Sequence, residues 1–91
     1  MRKKKNQNKI TVNVTEKHIS QGQSKVDCCP IALAIKELGI SYVSVNQLKI
    51  YFYKDKYHTW DNSKEVINFI KEFDSNIPVK PFTFEMEIKE L

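Results

Sequence analysis

Residues 28–39 have the sequence CCPIALAIKELG, and we predict that they form the central core helix. Apolar residues recur in it at i, i+3, i+4 and i+7, the spacing by which a helix buries one face. These residues are Ile31, Ala34, Ile35 and Leu38. Pro30 suits the first helical position and pushes Cys29 into the cap. Gly39 can adopt the left-handed conformation that ends a helix, so we expect a short helix with both ends defined.

The residues before this helix predict a strand and a second, short helix. Residues 10–14 alternate Ile, Thr, Val, Asn and Val, which is typical of a half-buried strand. Thr15 is a suitable cap for a helix from Glu16 to about Gln21, and Gly22 would end it.

The residues after Gly39 predict a hairpin followed by an edge strand. A two-residue turn at residues 46–47 would put all the aliphatic side chains of the hairpin on one face. The opposed pairs would be Val45 with Leu48, Val43 with Ile50 and, on the other face, Tyr42 with Tyr51. A second turn at residues 54–56 would return the chain as a short edge strand at residues 57–60.

The last third of the chain predicts the second main helix and a final strand. Asn62 and Glu65 resemble a capping box, and the apolar residues after them again follow helical spacing. These are Val66, Phe69, Ile70 and Phe73. Residues 74–76 would end the helix, and residues 82–88 alternate apolar and polar side chains, as in a strand. That strand should lie beside residues 10–14, because each supplies the apolar cover that the other needs.

Together these elements predict an α+β fold with the order β-α-α-β-β-(β)-α-β. We expect a single, mostly antiparallel sheet of four to five strands with the two main helices on one face. Residues 10–91 would form this one domain, and residues 1–9 would be a basic disordered tail.

The composition is that of a small soluble protein. No apolar run approaches the roughly 20 residues that cross a bilayer, and none follows the basic start, so we expect no membrane span and no secretory signal. The two cysteines are adjacent and cannot bridge without strain, which fits the cytoplasm. Five of the 15 basic residues lie before residue 10, which leaves ten to balance the 11 acidic ones. The tail is therefore either a solvated extension or an electrostatic contact for nucleic acid.

The residues do not predict an enzyme. Cys29 at a helix start could form a thiolate, but a nucleophile needs a base, and nothing in the spacing brings His18 or His58 to it. The alternative is that Cys28 or Cys29 is a small buried apolar residue. The His and Cys spacing also differs from that of zinc sites. We therefore expect no catalytic residue, no metal ion and no cofactor.

The tyrosines and the tryptophan define a candidate surface. All four Tyr and the single Trp lie between residues 42 and 60. If the turn near Asp55 has an even length, one face collects flat rings that could stack on a base or close against a second copy of the chain. The rings would be those of Tyr42, Tyr51, Tyr53, His58 and Trp60. If the turn length is odd, the set is divided, and ordinary β-propensity on a solvated face is the remaining alternative.

Three motifs stand out along the chain. They are ITVNVT at residues 10–15 with His18-Ile19 and Gly22 after it, CPIALA at residues 29–34, and Phe73-Asp74 followed by PVKPFTFE at residues 78–85. This pattern resembles a family of small uncharacterised proteins encoded by bacteriophages, although a spacer separates the two cysteines in that family. Small phage proteins of this size often neutralise a bacterial immune system by binding a partner or sequestering a nucleotide signal, so the resemblance implies that setting.

We therefore predict a binding protein without turnover, in the cytoplasm of an infected bacterium, that sequesters a small phosphorylated nucleotide. The helix start at Cys29 would hold the anion, and the rings would stack the base. The predicted ligand-binding residues are His18, Lys25, Cys29, Tyr51, Tyr53, His58 and Trp60. Two alternatives stay open: direct inhibition of a host defence protein, and nucleic-acid binding by the basic tail. We also expect a homo-oligomer that associates through the ring-rich edge strand.

Overall fold

The computed structural model describes residues 9–87, which form an α+β fold of five strands and three helices. The elements are β1 (Lys9–Val14), α1 (Glu16–Gln21), α2 (Pro30–Lys36), β2 (Tyr42–Val45), β3 (Lys49–Lys54), β4 (Lys56–Asp61), α3 (Lys64–Asp74) and β5 (Phe82–Glu87). The fold class and the order of the elements are therefore confirmed. None of the described helices is long and apolar enough to cross a membrane.

The strands form two antiparallel sheets, so the expectation of a single sheet is wrong. One sheet contains β1 and β5, with Val12 opposite Phe84 and Ile10 opposite Met86, which confirms that the first and last strands are neighbours. The other contains β2, β3 and β4 in chain order. The apolar sides of both sheets contribute to one core, and α2 packs against both β1 and β2. The sheets thus bury each other's apolar side chains without joining edge to edge.

Helix α2 begins as the sequence predicts and ends earlier. Cys29 is its N-cap, and the Cys29 sulfur accepts a hydrogen bond from the backbone N–H of Ala32 at 3.4 Å. Gly39 has a φ of 92°, as expected for the residue that reverses the chain. The helix nevertheless stops at Lys36, and a tighter turn follows it. This turn carries Leu38 away from the apolar stripe, so Leu38 is 48% exposed and its predicted place in the core is wrong.

The predicted register of the β2–β3 hairpin is wrong by two residues. Val45 lies opposite Ile50 and Val43 opposite Phe52, while Tyr42 lies opposite Tyr53 and not Tyr51. The connection is longer than two residues because its polar side chains hold it. Asn46 Oδ1 accepts the backbone N–H groups of Leu48 and Lys49, and Asn62 Nδ2 donates to the carbonyls of Asn46 and Gln47. A shift of two residues keeps each side chain on its predicted face but leaves Leu48 in the loop, 66% exposed.

Helix α3 has the predicted apolar stripe but a different cap. Ser63, and not Asn62, is the N-cap, and its hydroxyl accepts the backbone N–H of Val66 at 3.3 Å. The Asn62 side chain is instead bound to the β2–β3 loop. The side chains of Val66, Phe69 and Ile70 are buried, as the spacing predicts.

A continuous row of aromatic rings joins α3, β5 and β4. Neighbouring ring centroids are 6.4 Å apart for Phe73 and Phe69, 4.8 Å for Phe69 and Phe82, 5.5 Å for Phe82 and Phe84, and 5.6 Å for Phe84 and Trp60. Rings at these separations stabilise a core beyond their buried area. The row therefore ties the two sheets together through the last strand.

The domain boundary needs one correction. Lys9 belongs to β1, opposite Glu87, and its Nζ lies 3.7 Å from Glu85 Oε1, so Lys9 is not part of a tail. Residues 1–8, for which disorder is predicted, and residues 88–91, with the Ile88 end of the last strand, lie outside the described residues.

Candidate functional site

The turn between β3 and β4 decides which aromatic residues share a face. Lys54 lies opposite Lys56, and Tyr53 opposite Tyr57, so only Asp55 forms the turn. Asp55 has a φ of 68°, a left-handed conformation that Asp tolerates better than most residues. The turn length is therefore odd, and the predicted set of rings is divided.

The outward side of the β2–β3–β4 sheet carries all four tyrosines. We call this surface the tyrosine face; it comprises Tyr42, Ser44, Tyr51, Tyr53, Tyr57 and Thr59. Tyr42, Tyr53 and Tyr57 stand opposite one another across the three strands, and they are 49%, 42% and 72% exposed. The Tyr57 ring meets the other two edge to face, at centroid distances of 6.0 and 4.9 Å. Each ring therefore restrains its neighbours while much of its surface remains open to solvent.

Charged residues lie at both ends of the β3–β4 hairpin. Lys54 and Lys56 are directly opposed and exposed at the tip of the hairpin. Like charges placed opposite each other on a sheet are unfavourable for folding. At the other end, Lys49 donates a hydrogen bond to Asp61, and this bond raises the pKa of Lys49. By strand alternation, the side chains of Lys54 and Lys56 leave the sheet on the side of Phe52 and His58, so they adjoin the tyrosine face at the tip without belonging to it, and Asp55 between them offsets one of the two charges.

His58 and Trp60 point to the opposite side of the sheet, towards the core. The His58 ring stacks on Phe52 at 5.1 Å, and its Nε2 lies 3.1 Å from the carbonyl oxygen of Lys54, to which it donates. Trp60 stacks on Phe84 of β5. Both rings thus pack against apolar residues and are absent from the tyrosine face.

His18 is buried and bonded through both ring nitrogens. It is 3% exposed; its Nδ1 lies 3.0 Å from the backbone nitrogen of Thr15, and its Nε2 lies 2.9 Å from Glu37 Oε1. Because Nδ1 accepts the Thr15 N–H, the ring proton is on Nε2 and is donated to Glu37. His18 completes the capping box of α1 and joins that helix to the end of α2. A His three residues after a Thr cap is the sequence signal for this role, which is not among the roles predicted for His18.

Cys29 and Lys25 are brought together, in a setting that does not favour a thiolate. They line one cavity of about 210 Å³ together with Asp74. Burial raises the pKa of the Cys29 thiol, and the charges of Asp74 and Cys28 raise it further, although backbone N–H groups act in the opposite direction. Cys29 is therefore a neutral thiol near neutral pH. Its sulfur already accepts the hydrogen bond of the Ala32 N–H at the helix start.

The seven predicted ligand residues thus lie in three places. Tyr51 and Tyr53 are on the tyrosine face, and Lys25 and Cys29 share a small cavity, whereas the remaining three are packed in the interior or on the inner side of the sheet. Within residues 9–87, no three His, Cys, Asp or Glu side chains are grouped so that they could hold a metal ion. Whether any of the seven residues binds a ligand stays a prediction.

Comparison of this chain with protein families, with curated proteins and with solved structures finds no match. The resemblance to phage proteins therefore stays a prediction, and the function has to be inferred from the surfaces of this chain.

Proposed function

We propose that this chain is a binding protein without turnover, and that its tyrosine face contacts a partner protein. In the setting that the phage resemblance implies, the partner is a protein of the bacterial immune system. The observation that carries the proposal is the row of three exposed and mutually packed rings of Tyr42, Tyr53 and Tyr57.

Tyrosine suits a protein interface because it offers a large, rigid ring with a polar edge and loses little side-chain entropy on binding. Tyrosines are enriched at interfaces and among the residues that contribute most of the binding energy. The exposed parts of Tyr42, Tyr53 and Tyr57 supply roughly 300 Å². A stable interface needs about 800 Å² on each side. The partner must therefore extend over the small side chains of Ser44 and Thr59 and reach the Lys49–Asp61 pair on the same side of the sheet.

The absence of turnover is supported by the state of the candidate nucleophile and its bases. Cys29 is held as a neutral thiol by burial. The ring nitrogens of His18 are occupied by Thr15 and Glu37, and His58 is bonded to a backbone carbonyl. These three side chains therefore provide neither the free base nor the activated thiolate that nucleophilic catalysis requires.

Sequestration of a phosphorylated nucleotide is the second candidate, and one observation favours it. Lys54 follows Tyr53 and Lys56 precedes Tyr57 at the exposed hairpin tip, so the phosphate of a base stacked on one of these rings could meet the two ammonium groups by passing around the tip. The tyrosine face is an open sheet surface, however, and small-molecule sites are usually concave. This is why we place a protein partner first.

The test is retention of purified bacterial defence proteins on the immobilised chain, followed by calorimetric titration of each retained protein. We expect a stoichiometric complex whose affinity falls by about 100-fold in a Tyr53→Ser/Tyr57→Ser variant, because each tyrosine contributes a large share of the binding energy. Leu38→Ser removes an equally exposed apolar side chain elsewhere and should leave the affinity unchanged.

The same preparation should be incubated with a panel of cyclic nucleotides and ADP-ribose derivatives. A complex that is equally tight in the double variant, or no retained protein at all, would overturn the proposal. Depletion of a nucleotide that is released intact on heat denaturation would establish the second candidate in its place, and depletion without intact release would indicate an enzyme.

A further inference from the structure

A groove runs between α3 and the extended connection that leads into β5, on elements that do not form the tyrosine face. Its volume is about 380 Å³. Phe69, Val79 and Phe82 supply its apolar floor, and Pro78 and Pro81 form part of its wall. Phe69 and Phe82 are neighbours in the aromatic row, 4.8 Å apart, so the floor is held by the core. This α3–β5 groove is therefore a preformed apolar depression.

The helix side of the groove carries two carboxylates. Glu65 and Glu72 are seven residues apart and line the groove with Asn68 between them. Seven residues are almost two helical turns, so the two carboxylates share one face and lie about 10 Å apart along the axis. Both are exposed, and within residues 9–87 neither forms an ion pair.

The fold does not account for Glu72. Glu65 lies in the first turn of α3, where the helix dipole favours a negative charge. Glu72 lies near the last turn, where the dipole disfavours it. An exposed carboxylate that has no ion-pair partner within residues 9–87 and borders an apolar groove is the arrangement expected of a residue that meets a cation from outside.

We propose that the α3–β5 groove binds a proline-rich segment of a partner protein in the polyproline II conformation, with basic residues at positions i and i+3. Polyproline II has three residues per turn and a rise of about 3.1 Å per residue, so positions i and i+3 face the same way about 9 Å apart. This distance matches the spacing of Glu65 and Glu72. The residues between the cations then lie on Phe69 and Phe82, and Asn68 can bond the peptide backbone.

Lys80 supplies a control within the groove. Among the lining residues it is the only cation, and it belongs to the connection that faces α3. Its charge opposes a basic ligand, so Lys80→Ala should strengthen binding, whereas loss of Glu65 and Glu72 should weaken it. A purely apolar groove would respond to neither change.

The test uses two capped hexapeptides of the same composition, Pro-Lys-Pro-Leu-Arg-Pro and Pro-Pro-Lys-Arg-Leu-Pro, titrated into the labelled full chain and followed by NMR. Only the first places its cations three residues apart. We expect the first peptide to bind at least about tenfold more tightly than the second and to shift the NMR signals of the groove residues. Its affinity should fall by about tenfold in a Glu65→Gln/Glu72→Gln variant. Glu16→Gln, an exposed carboxylate on α1, should have no effect.

Equal affinity for the two peptides, or an unchanged affinity in the double Gln variant, would overturn the proposal. Both Gln substitutions keep the side-chain shape, so loss of the fold does not confuse the result. The Tyr53→Ser/Tyr57→Ser variant should bind the first peptide like the wild type, which keeps this outcome separate from that of the tyrosine face.

Discussion

The imidazole Nε2 of His18 lies 2.9 Å from Oε1 of Glu37, and this hydrogen bond joins the first helix to the end of the second. His18 is buried, whereas the Glu37 side chain is 58% exposed. The bond therefore matters because it satisfies the buried Nε2–H, and the attraction between charges is secondary. A buried donor without a partner costs about 1–3 kcal/mol.

We expect His18→Ala to lower the free energy of unfolding by about 2–4 kcal/mol, because it removes the capping box as well as buried ring contacts. Glu37→Ala should lower the free energy of unfolding by about 1–2 kcal/mol, since only the Nε2–H of His18 loses its partner. Urea denaturation of both single variants and the double variant measures the coupling between the two residues. A double variant whose loss equals the sum of the two single losses would contradict the linkage, and Lys17→Ala should change stability by less than about 0.5 kcal/mol.

Cys29 should behave as a buried thiol whose charge state affects stability only at high pH. Burial raises its pKa above the ordinary value of 9.0, so the folded state holds the proton more tightly than the unfolded state does. Its stabilising contribution is therefore complete below about pH 9 and is lost as the pH rises through the folded-state pKa. We expect the free energy of unfolding to fall above pH 9 more steeply in the wild type than in Cys29→Ala.

Thiol labelling gives a second measurement of Cys29. Cys28 is half-buried, so Cys29→Ala, which retains Cys28, should react with a disulfide reagent at pH 7.5 at least about tenfold faster than Cys28→Ser, which retains Cys29. Equal labelling rates would mean that Cys29 is accessible and ionised, and they would reopen the nucleophile hypothesis.

Much of the fold follows from local patterns in the sequence. The cap at Cys29, the stripe on α3 and the pairing of the first and last strands each depend on the period of apolar residues or on the chemistry of one terminal residue. Two of the errors arise where a distant residue intervenes. Asn62 has the composition of a helix cap, but its amide binds the carbonyls of the β2–β3 loop, so Ser63 caps α3 and the hairpin loop is longer than two residues.

The candidate site is harder to predict because it depends on whether the turn at Asp55 has an odd or an even number of residues, and not on composition. The confinement of the tyrosines to one segment of the chain is visible in the sequence, but which rings share a face depends on whether one or two residues form the turn at Asp55. Nothing local distinguishes the two lengths. The sequence does not predict the α3–β5 groove for a different reason: Glu65 stands at the position of a capping box, and the connection at residues 78–81 gives no sign of where it packs.

The one-residue turn at Asp55 can be tested through its backbone conformation. Asp55 has a φ of 68°, which a β-branched residue adopts only with strain. We expect Asp55→Val to lower the free energy of unfolding, measured by urea denaturation, by about 1–2 kcal/mol. The strand register is kept, so Trp60 should stay against Phe84, 5.6 Å away, and the emission of the single Trp should not change. Asp55→Gly is the matched control, because glycine adopts this φ without steric strain, so its stability should be equal or slightly higher. If Asp55→Val denatured at the wild-type midpoint, the left-handed conformation of Asp55 would not be what closes the hairpin in the register that places the tyrosines together on the outer face.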